Sequence, residues 1–361
     1  MAHRPIVGVL SACVWLAACD PFHTELGTDD VVRREATEVV PAPSAPSALR
    51  VATWNIKFAG GRIDFFWDCF GDRVLMERSE VETNLAALAA AIDQLDVDVL
   101  FVQELDLNSK RTDHLDQLQW LLDHTDLSHG VYGSGWRADY VPSDGLGAID
   151  NGSAILSRFP IEDPARIPLA LRSDQSAIER YFYLRRHILT ANVRLGPDRT
   201  LAVANLHTSA YGTDGTKLSQ IERFHELLTE WDAAGIEFLA GGDLNTLPPG
   251  TVQQRDFPDT VCEDEEFIAD DYTLEADWAT PLYRDFAAAI PLADYQADNA
   301  AHFTHTVDGR GFWNRKLDYL FTNLSFDTTR SQTHLDMARG GIETMPLSDH
   351  APVSAVLELG P

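Results

Sequence analysis

Residues 238–246 read Phe-Leu-Ala-Gly-Gly-Asp-Leu-Asn-Thr, an apolar run that stops at a polar turn. The run predicts a buried β-strand, and Asp243 and Asn245 follow where it ends. A single carboxylate in such a position is usually a turn residue or a cap. The same arrangement recurs along the chain, however, which a capping role does not explain.

Polar side chains suited to a metal ion or a phosphate stand at the ends of other apolar runs or within them. They are Asn55, Glu104, His207, Asp318, Asp349 and His350. Strands that deliver such groups to one edge of a sheet would build a single polar site. The sequence therefore predicts that these distant segments converge on one functional site.

Helical and extended patterns alternate between residues 49 and 360. Apolar residues recur at helical spacing in 80–95 and 216–231. Strand-like runs lie at 49–55, 99–102, 152–156, 187–195, 200–206, 236–240, 317–322 and 351–357. Such alternation predicts a mixed α/β architecture.

Composition and charge narrow the class of protein. The chain has 361 residues and a formal net charge of -28, with 45% hydrophobic and 23% charged residues, which is typical of a globular protein. An acidic chain repels phosphate backbones at long range, so a protein that coats nucleic acid is disfavoured. This leaves open an enzyme that acts on nucleic acid through a local metal site. None of the 4 Cys has zinc-finger spacing.

The N-terminus has the pattern of a bacterial lipoprotein signal. Arg4 precedes an apolar stretch over 6–18 that is too short for a permanent membrane span. The residues Leu16-Ala17-Ala18-Cys19 resemble a lipobox, in which the cysteine is lipidated and becomes the first mature residue. A plain secretory signal with a chance cysteine is the alternative. We expect a signal peptide at 1–18, lipidation at Cys19 and a place in the cell envelope, on the periplasmic side of the inner membrane or at the outer membrane.

Residues 19–48 are polar and then rich in Pro, Ala and Ser, which predicts a semi-rigid tether before a domain at 49–360. Cys69 and Cys262 are the cysteines left for disulfide chemistry in an oxidising compartment. Whether they pair is open, because sequence does not show proximity.

Six motifs resemble, in the same order, those of the endonuclease/exonuclease/phosphatase superfamily. They are Thr53-Trp54-Asn55-Ile56, Val102-Gln103-Glu104, Asn205-Leu206-His207, Gly242-Asp243-Leu244-Asn245-Thr246, Lys316-Leu317-Asp318-Tyr319 and Ser348-Asp349-His350. The superfamily includes deoxyribonuclease I, neutral sphingomyelinases and inositol-polyphosphate 5-phosphatases. The resemblance implies an α/β fold, a four-layered α/β/β/α sandwich of two mixed sheets, and Mg²⁺-dependent hydrolysis of phosphoesters.

The resemblance and the ligand chemistry together suggest a metal site. Mg²⁺ prefers oxygen ligands and takes one or two protein carboxylates, so Glu104 is the principal candidate ligand, with Asn55 and Asp349 close by. Mn²⁺ is a plausible substitute.

The remaining motif residues suit the transfer of protons and the binding of phosphate. Asp243 is the candidate base, and Asn245 offers amide donors to the phosphate or to the Asp243 side chain. His350 is expected to bind or protonate the phosphate, with Asp318 as its carboxylate partner. His207 would supply a second donor or acid near the leaving oxygen.

Two arginines are candidates for contacts to substrate phosphate, and both are equally plausible as surface cations. Arg111 lies a few residues after Glu104, and Arg186 stands at the head of a strand. Selectivity is expected in the loops 60–73, 126–150 and 251–281. The aromatic stretch 65–70 is either an apolar wall for a lipid or base, or core cover beneath a loop.

These observations predict a monomeric, membrane-anchored, Mg²⁺-dependent phosphoester hydrolase outside the cytoplasm. Its substrate would be nucleic acid, a phospholipid or a small phosphodiester, so the enzyme would be a nuclease, a phospholipase C-like enzyme or another phosphodiesterase. The alternative is a catalytically inactive module that binds a phosphorylated ligand or a protein at the cell surface.

Overall fold

Two mixed β-sheets form the centre of the computed structural model, which describes residues 23, 25–43, 46–66, 71–141, 143–210, 214–257, 271–307 and 312–360. The larger sheet has seven strands in the order β1 (Val31–Glu35), β4 (His129–Val141), β5 (Gly147–Ser157), β3 (Val99–Asp106), β2 (Ala48–Asn55), β13 (Val353–Glu358) and β12 (Ser325–Thr333). The smaller has six in the order β10 (Ala287–Ala288), β11 (Asp318–Thr322), β9 (Phe238–Asp243), β8 (Thr200–His207), β7 (His187–Arg194) and β6 (Ile161–Pro168).

Helices cover the outer faces of both sheets. The helices are α1 (Arg78–Leu95), α2 (Gln117–Asp123), α3 (Ala177–Phe182), α4 (Thr216–Ala233), α5 (Thr280–Asp285) and α6 (Leu292–Ala297). Leu85 and Leu88 of α1 pack against Leu100 of the larger sheet, and Phe224 of α4 packs against Phe238 of the smaller. The predicted four-layered α/β/β/α sandwich is therefore confirmed.

The core between the sheets is apolar on both sides. Val51, Phe101 and Ile155 of the larger sheet meet Val203 and Leu239 of the smaller, and all of these are fully buried. Strand β3 is buried along almost all its length, as the continuous apolar run at 99–102 predicts.

Strand direction brings the motif residues to one end of the sandwich. Strands β2 and β3 pair in parallel, and so do β8 and β9, which places His207 opposite Asp243. Strand β11 runs antiparallel to β9 and begins with Asp318 opposite Asp243. Because parallel strands end at the same edge, these segments deliver their polar side chains to a common place.

A buried polar bridge joins the two sheets beneath that end. The Gln103 amide donates to Asn205 Oδ1 at 2.7 Å, and the Asn205 amide donates to the carbonyls of Val102 and Ala154 at 2.9 and 2.8 Å. Both side chains are fully buried, so each lost contact would leave an unsatisfied polar group. The bridge therefore fixes the position of one sheet relative to the other.

The prediction that residues 19–48 form an unpacked tether is wrong for residues 31–35. These residues form β1, which pairs with β4 from Val31 opposite Gly133 to Glu35 opposite His129. Arg166 also donates to the carbonyl of Leu26 at 2.6 Å. The packed domain therefore begins well before residue 49. Cys19 and the 1–18 segment lie outside the described residues, and so do Cys69 and Cys262.

The stretch 126–150, predicted to be a selectivity loop, is mostly β4 and the start of β5. The other two predicted loops are described in part, without 67–70 and 258–270. Among the described residues, no helix is long and apolar enough to cross a membrane.

Candidate active site

A bulge in β3 sets the direction of Glu104. The register against β5 shifts between Val102 and Leu105, and Glu104 has a φ of 57°. Such a bulge breaks the alternation of side chains and re-aims one of them, and a non-glycine residue in this conformation is strained. Glu104 thereby lines a cleft of ≈ 830 Å³ at the end of the sandwich where the motifs meet.

Close packing of β9 against β8 positions Asp243. Gly242 has a φ of +130°, and a Cβ there would lie 2.0 Å from the carbonyl oxygen of Leu206. Only glycine fits this position. Asp243 follows directly, and its Oδ2 lies 3.4 Å from His207 Nε2.

Asn245 supports Asp243 through its backbone. The Asn245 N–H donates to Asp243 Oδ1 at 2.9 Å, while its side-chain amide donates to the carbonyl of Thr208 at 3.2 Å. The side-chain amide of Asn245, predicted to donate to the phosphate or to the Asp243 carboxylate, thus donates to Thr208, and the main-chain N–H contacts Asp243 instead.

His350 links two buried aspartates. Its Nδ1 lies 2.8 Å from Asp318 Oδ2 and its Nε2 lies 3.6 Å from Asp243 Oδ2. Burial opposes protonation, but the charges of Asp318 and Asp243 raise the pKa of His350 to about 10. Burial raises the pKa of Asp243 to about 7, although the charge of His350 lowers it. The structure thus brings Asp318 and His350 together as expected, with a cationic imidazole beside Asp243.

His207, the second histidine near Asp243, has a lowered pKa, whereas that of His350 is raised. Burial and the charge of Arg186 lower the pKa of His207 well below its usual value. The imidazole is therefore neutral near neutral pH. This state suits the predicted donor role better than the predicted role as an acid.

Hydrogen bonds between motifs hold the loop of His350 in place. The Trp54 indole N–H donates to the His350 carbonyl at 2.8 Å, and the Ser348 hydroxyl donates to the Asn55 carbonyl at 2.8 Å. The segment that ends β2 and the segment that precedes β13 therefore form one unit.

Asn55 bridges two carboxylates as a donor. Its Nδ2 lies 3.2 Å from Glu104 Oε1 and 3.1 Å from Asp243 Oδ2, while its Oδ1 accepts from the Lys57 N–H at 3.1 Å. Since the amide oxygen is turned away from the carboxylates, Asn55 orients Glu104 and Asp243. This differs from the oxygen ligand that the sequence predicts.

Glu104 and Asp349 are the carboxylates that fit a divalent cation. Burial and the negative charge of Asp349 raise the pKa of Glu104. Burial opposes ionisation of Asp349, but the charges of Lys57 and His350 lower its pKa, and Lys57 Nζ lies 3.5 Å from Asp349 Oδ2. A cation between two carboxylates in one cleft would relieve their repulsion, and hard oxygen donors suit Mg²⁺.

Two further sets of side chains have ligand atoms within 4.8 Å of one another among the described residues. One set is His305, Asp349 and His350, and the other is Asp243, Asp318 and His350. His350 belongs to both sets, and its Nδ1 is already bonded to Asp318. The carboxylates of Glu104 and Asp349 therefore remain the best candidate ligands for a divalent cation.

The two predicted arginines differ in their surroundings, although both line the cleft. The Arg111 guanidinium donates to both Asp106 oxygens at 2.8 and 2.9 Å and stacks 3.6 Å from the centre of the Phe58 ring. Its charge is thus balanced within the protein, and its contact to substrate stays a prediction. Arg186 Nε has no hydrogen-bond partner in the described part of the chain. Arg186 is the better placed cation for a substrate phosphate.

Lys57 and His305 are among the polar residues of the cleft that sequence reasoning missed. Lys57 stands two residues after Asn55, and this proximity to a motif was the available signal. The His305 ring lies 4.4 Å from that of His350, but residue 305 is part of no motif. Its position follows from a backbone bridge to residue 350, which a sequence pattern does not reveal.

Two mixed sheets packed face to face, with acidic and histidine side chains at their common end, define a deoxyribonuclease I-like sandwich. The chain belongs to the endonuclease/exonuclease/phosphatase family, whose model matches residues 52–350. Members of this family are phosphoester hydrolases, and they generally depend on a divalent metal. No curated protein matches the sequence.

Solved structures with the same fold are distant in sequence. An endonuclease/exonuclease/phosphatase from Beutenbergia cavernae is 21% identical with a TM-score of 0.59, covering 87% of this chain and 72% of that one. A family protein from Leptotrichia buccalis is 16% identical with a TM-score of 0.52, over 86% and 100% of the two chains. The human Nocturnin catalytic domain, solved with a bound sulfate anion, is 16% identical with a TM-score of 0.51, over 88% and 97%.

Proposed function

We propose that this protein is a divalent-cation-dependent phosphodiesterase, with Mg²⁺ as its ion. The observation that carries the proposal is that Asp243 lies next to two histidines, one neutral and one cationic. Oδ2 of Asp243 lies 3.4 Å from the neutral His207 and 3.6 Å from the cationic His350. A carboxylate that can take a proton thus stands between two imidazoles that can hold a phosphate.

Asp243 is suited to act as the general base, which aligns an attacking water and takes its proton. Its carboxylate is fixed from two sides by the Asn55 amide and the Asn245 N–H. Its raised pKa of about 7 lies near neutral pH, where general bases are most effective.

The cations of the cleft suit the phosphate. Asp318 holds His350 in one orientation and keeps it charged, so that it can donate to a phosphoryl oxygen. Arg186 adds a second positive charge in the same cleft, and neutral His207 offers an N–H to the leaving oxygen. When bound at Glu104 and Asp349, the metal would polarise the phosphoryl group and offset its developing charge.

The test is hydrolysis of bis(p-nitrophenyl) phosphate by the full chain with Mg²⁺ and with EDTA. We expect turnover that EDTA removes, and Asp243→Asn or His350→Ala should lower kcat at least about a hundredfold, since each removes a group that acts in proton transfer or charge stabilisation. The matched control is Asp198→Asn, in the exposed turn between β7 and β8 at the opposite end of β8 from His207. It should retain full activity.

Equal turnover by all four proteins would refute the assignment of Asp243 and His350. Calorimetric titration with Mg²⁺ and phosphate tests the alternative of an inactive binding module. Binding without turnover at saturating metal, by the unaltered chain, would favour that alternative.

We also propose that the protein is lipid-anchored outside the cytoplasm through Cys19, the position that the lipobox-like residues Leu16-Ala17-Ala18 precede. In bacteria fed an alkyne-labelled palmitate, the chain should incorporate the label and partition into detergent. Cys19→Ala should lose both properties. A labelled Cys19→Ala protein would contradict the assignment of the cysteine.

A further inference from the structure

Six apolar side chains of the cleft lining are together called its apolar side. They are Phe58, Phe65, Trp136, Val141, Ile178 and Phe182. Glu104, Asp243, Arg186 and His350 line the same cleft. A substrate that fills it must therefore present a hydrophobic part as well as a phosphate.

Helix α3 contributes the exposed part of this apolar side. None of its residues is buried, and its first turn is held by a capping box between Ser176 and Glu179. Ile178 and Phe182 are four residues apart, so they share one face of the helix. Both line the cleft, with 73% and 40% of their surface exposed.

The helix is fixed to the protein by other residues. Tyr181 and Leu184 pack against the core on the outer side of the larger sheet, where α1 and α2 also pack. Since this packing orients α3, the exposure of Ile178 and Phe182 is built into the fold. Two large apolar side chains that are exposed to solvent beside a polar site indicate a surface that binds an apolar group.

The charges of the cleft favour a ligand with a single phosphate over a long phosphate backbone. Arg186 lies four residues after Phe182, whereas Arg111 on the apolar side is already paired with Asp106. Glu179 also lines the cleft, and the whole chain has a net charge of -28. A polyanion would be repelled along this side, while an uncharged hydrophobic group would not.

We propose that the apolar side of the cleft is a subsite for a hydrophobic substituent, so that the substrate is an amphiphilic phosphoester. The inference rests on the proposed phosphodiesterase function. The substituent can be an acyl or alkyl chain or an aromatic ring, which share the same contact chemistry. Ile178 and Phe182 are its specificity-determining residues.

The test compares three phosphodiesters that share one methyl ester and have alkoxide leaving groups of similar basicity: dimethyl, methyl octyl and methyl 2-phenylethyl phosphate. Products are quantified by mass spectrometry with Mg²⁺ present. Burial of the larger substituent should make kcat/KM for one or both at least about tenfold higher than for dimethyl phosphate. A preference for octyl identifies a chain, and a preference for 2-phenylethyl identifies a ring.

The variant Ile178→Ser/Phe182→Ser should lower the ratio of kcat/KM between the preferred diester and dimethyl phosphate about tenfold, mainly through KM. The matched control is Met337→Ser, because Met337 is 68% exposed and does not line the cleft. It should leave the ratio unchanged. Equal kcat/KM for all three diesters, or a ratio that the variant does not lower, would overturn the subsite while the proposed function stands.

A binding measurement separates the two proposals. Calorimetry with octyl, phenyl and methyl phosphate requires no turnover. If no diester is hydrolysed, the proposed function fails, yet tighter binding of octyl or phenyl phosphate that the double variant removes would still support the subsite. Equal binding of all three phosphates would overturn it.

Discussion

His187 shows how one buried side chain makes the fold sensitive to acid. It is 3% exposed, and neither ring nitrogen has a hydrogen-bond partner among the described residues. Burial and the charge of Arg166 lower the pKa of His187 to about 3. The unfolded chain, with an ordinary histidine, therefore binds a proton at a pH where the folded chain does not.

The free energy of unfolding should fall as the pH drops from above 6.5 towards 3. The group is uncharged in both states above pH 6.5, and below it only the unfolded state gains a proton. The contribution of His187 is about 2 kcal/mol between pH 8 and pH 5. In His187→Leu this contribution should vanish, giving a flatter stability curve by urea unfolding.

Exposed His124 at the end of α2 provides the control. His124→Leu should keep the slope of the unaltered protein. An identical slope for His187→Leu and the unaltered protein would show that His187 is not the residue responsible.

At the scale of single residues, the sequence predicted which residues meet in the cleft better than it predicted what each of them does there. Glu104, Asp243 and His350 do meet in one cleft, because strand ends and motif order are visible in the sequence. The orientation of Asn55 was not predictable, since it depends on the Lys57 N–H that occupies its amide oxygen. The neutral state of His207 likewise depends on burial and on Arg186.

At the scale of elements, a buried ion pair connects α4 to the turn that carries Asn245. Lys217 Nζ donates to the Asn245 carbonyl at 2.6 Å and to Glu275 at 2.7 and 2.9 Å. Lys217 is 2% exposed and Glu275 6%. The pair thus ties the segment after the undescribed residues 258–270 to the turn beside Asp243.

Lys217→Met should lower the free energy of unfolding by about 3–5 kcal/mol, because the buried Glu275 would lose the positive charge of Lys217. Lys217→Met/Glu275→Met should recover much of this stability. Hydrolysis should stay impaired in the double variant, because the Asn245 carbonyl still lacks its donor. Chemical unfolding and turnover of a phosphodiester measure the two effects.

The exposed pair of Arg223 and Glu226 on the same helix is the control, with Arg223→Met expected to cost less than about 1 kcal/mol. Full activity of the double variant at Lys217 and Glu275 would mean that the pair stabilises the fold without positioning the turn.

Several of the elements missed by sequence lack apolar periodicity. Strand β4 contains Gly130, Gly133 and Gly135, which obscure its alternation. Strand β12 is largely polar at the edge of its sheet, and α3 has no buried residue. Helices α1 and α4 were predictable because each buries a stripe such as Leu85, Leu88 and Ile92. A long buried apolar stripe is thus what made these two helices predictable.

At the scale of the whole molecule, residues 26–36 belong to the domain although they precede residue 49. Strand β1 closes one edge of the larger sheet, and the Arg166 guanidinium donates to the carbonyls of Leu26, Ser134 and Arg185. The composition rich in Pro and Ala at 40–47 led to the prediction of a tether over all of 19–48, although β1 lies before the Pro-rich stretch.

A chain that begins at Thr37 should be less stable than one that begins at His23, and it should self-associate. It loses the Leu26 carbonyl from a buried guanidinium, which costs about 1–3 kcal/mol, and it exposes the edge of β4. Urea unfolding and light scattering over a range of concentrations measure these effects. Two monomeric chains of equal stability would show that β1 is dispensable.

Strand β1 also sets how far the domain can travel if Cys19 carries lipid. With Leu26 held by Arg166 and Val31 fixed in the sheet, about half a dozen residues are left between Cys19 and the domain, and a fully stretched chain of that length reaches about 25 Å. The domain would then sample only a thin layer next to the bilayer, and molecules concentrated in that layer would meet it far more often than those in the bulk.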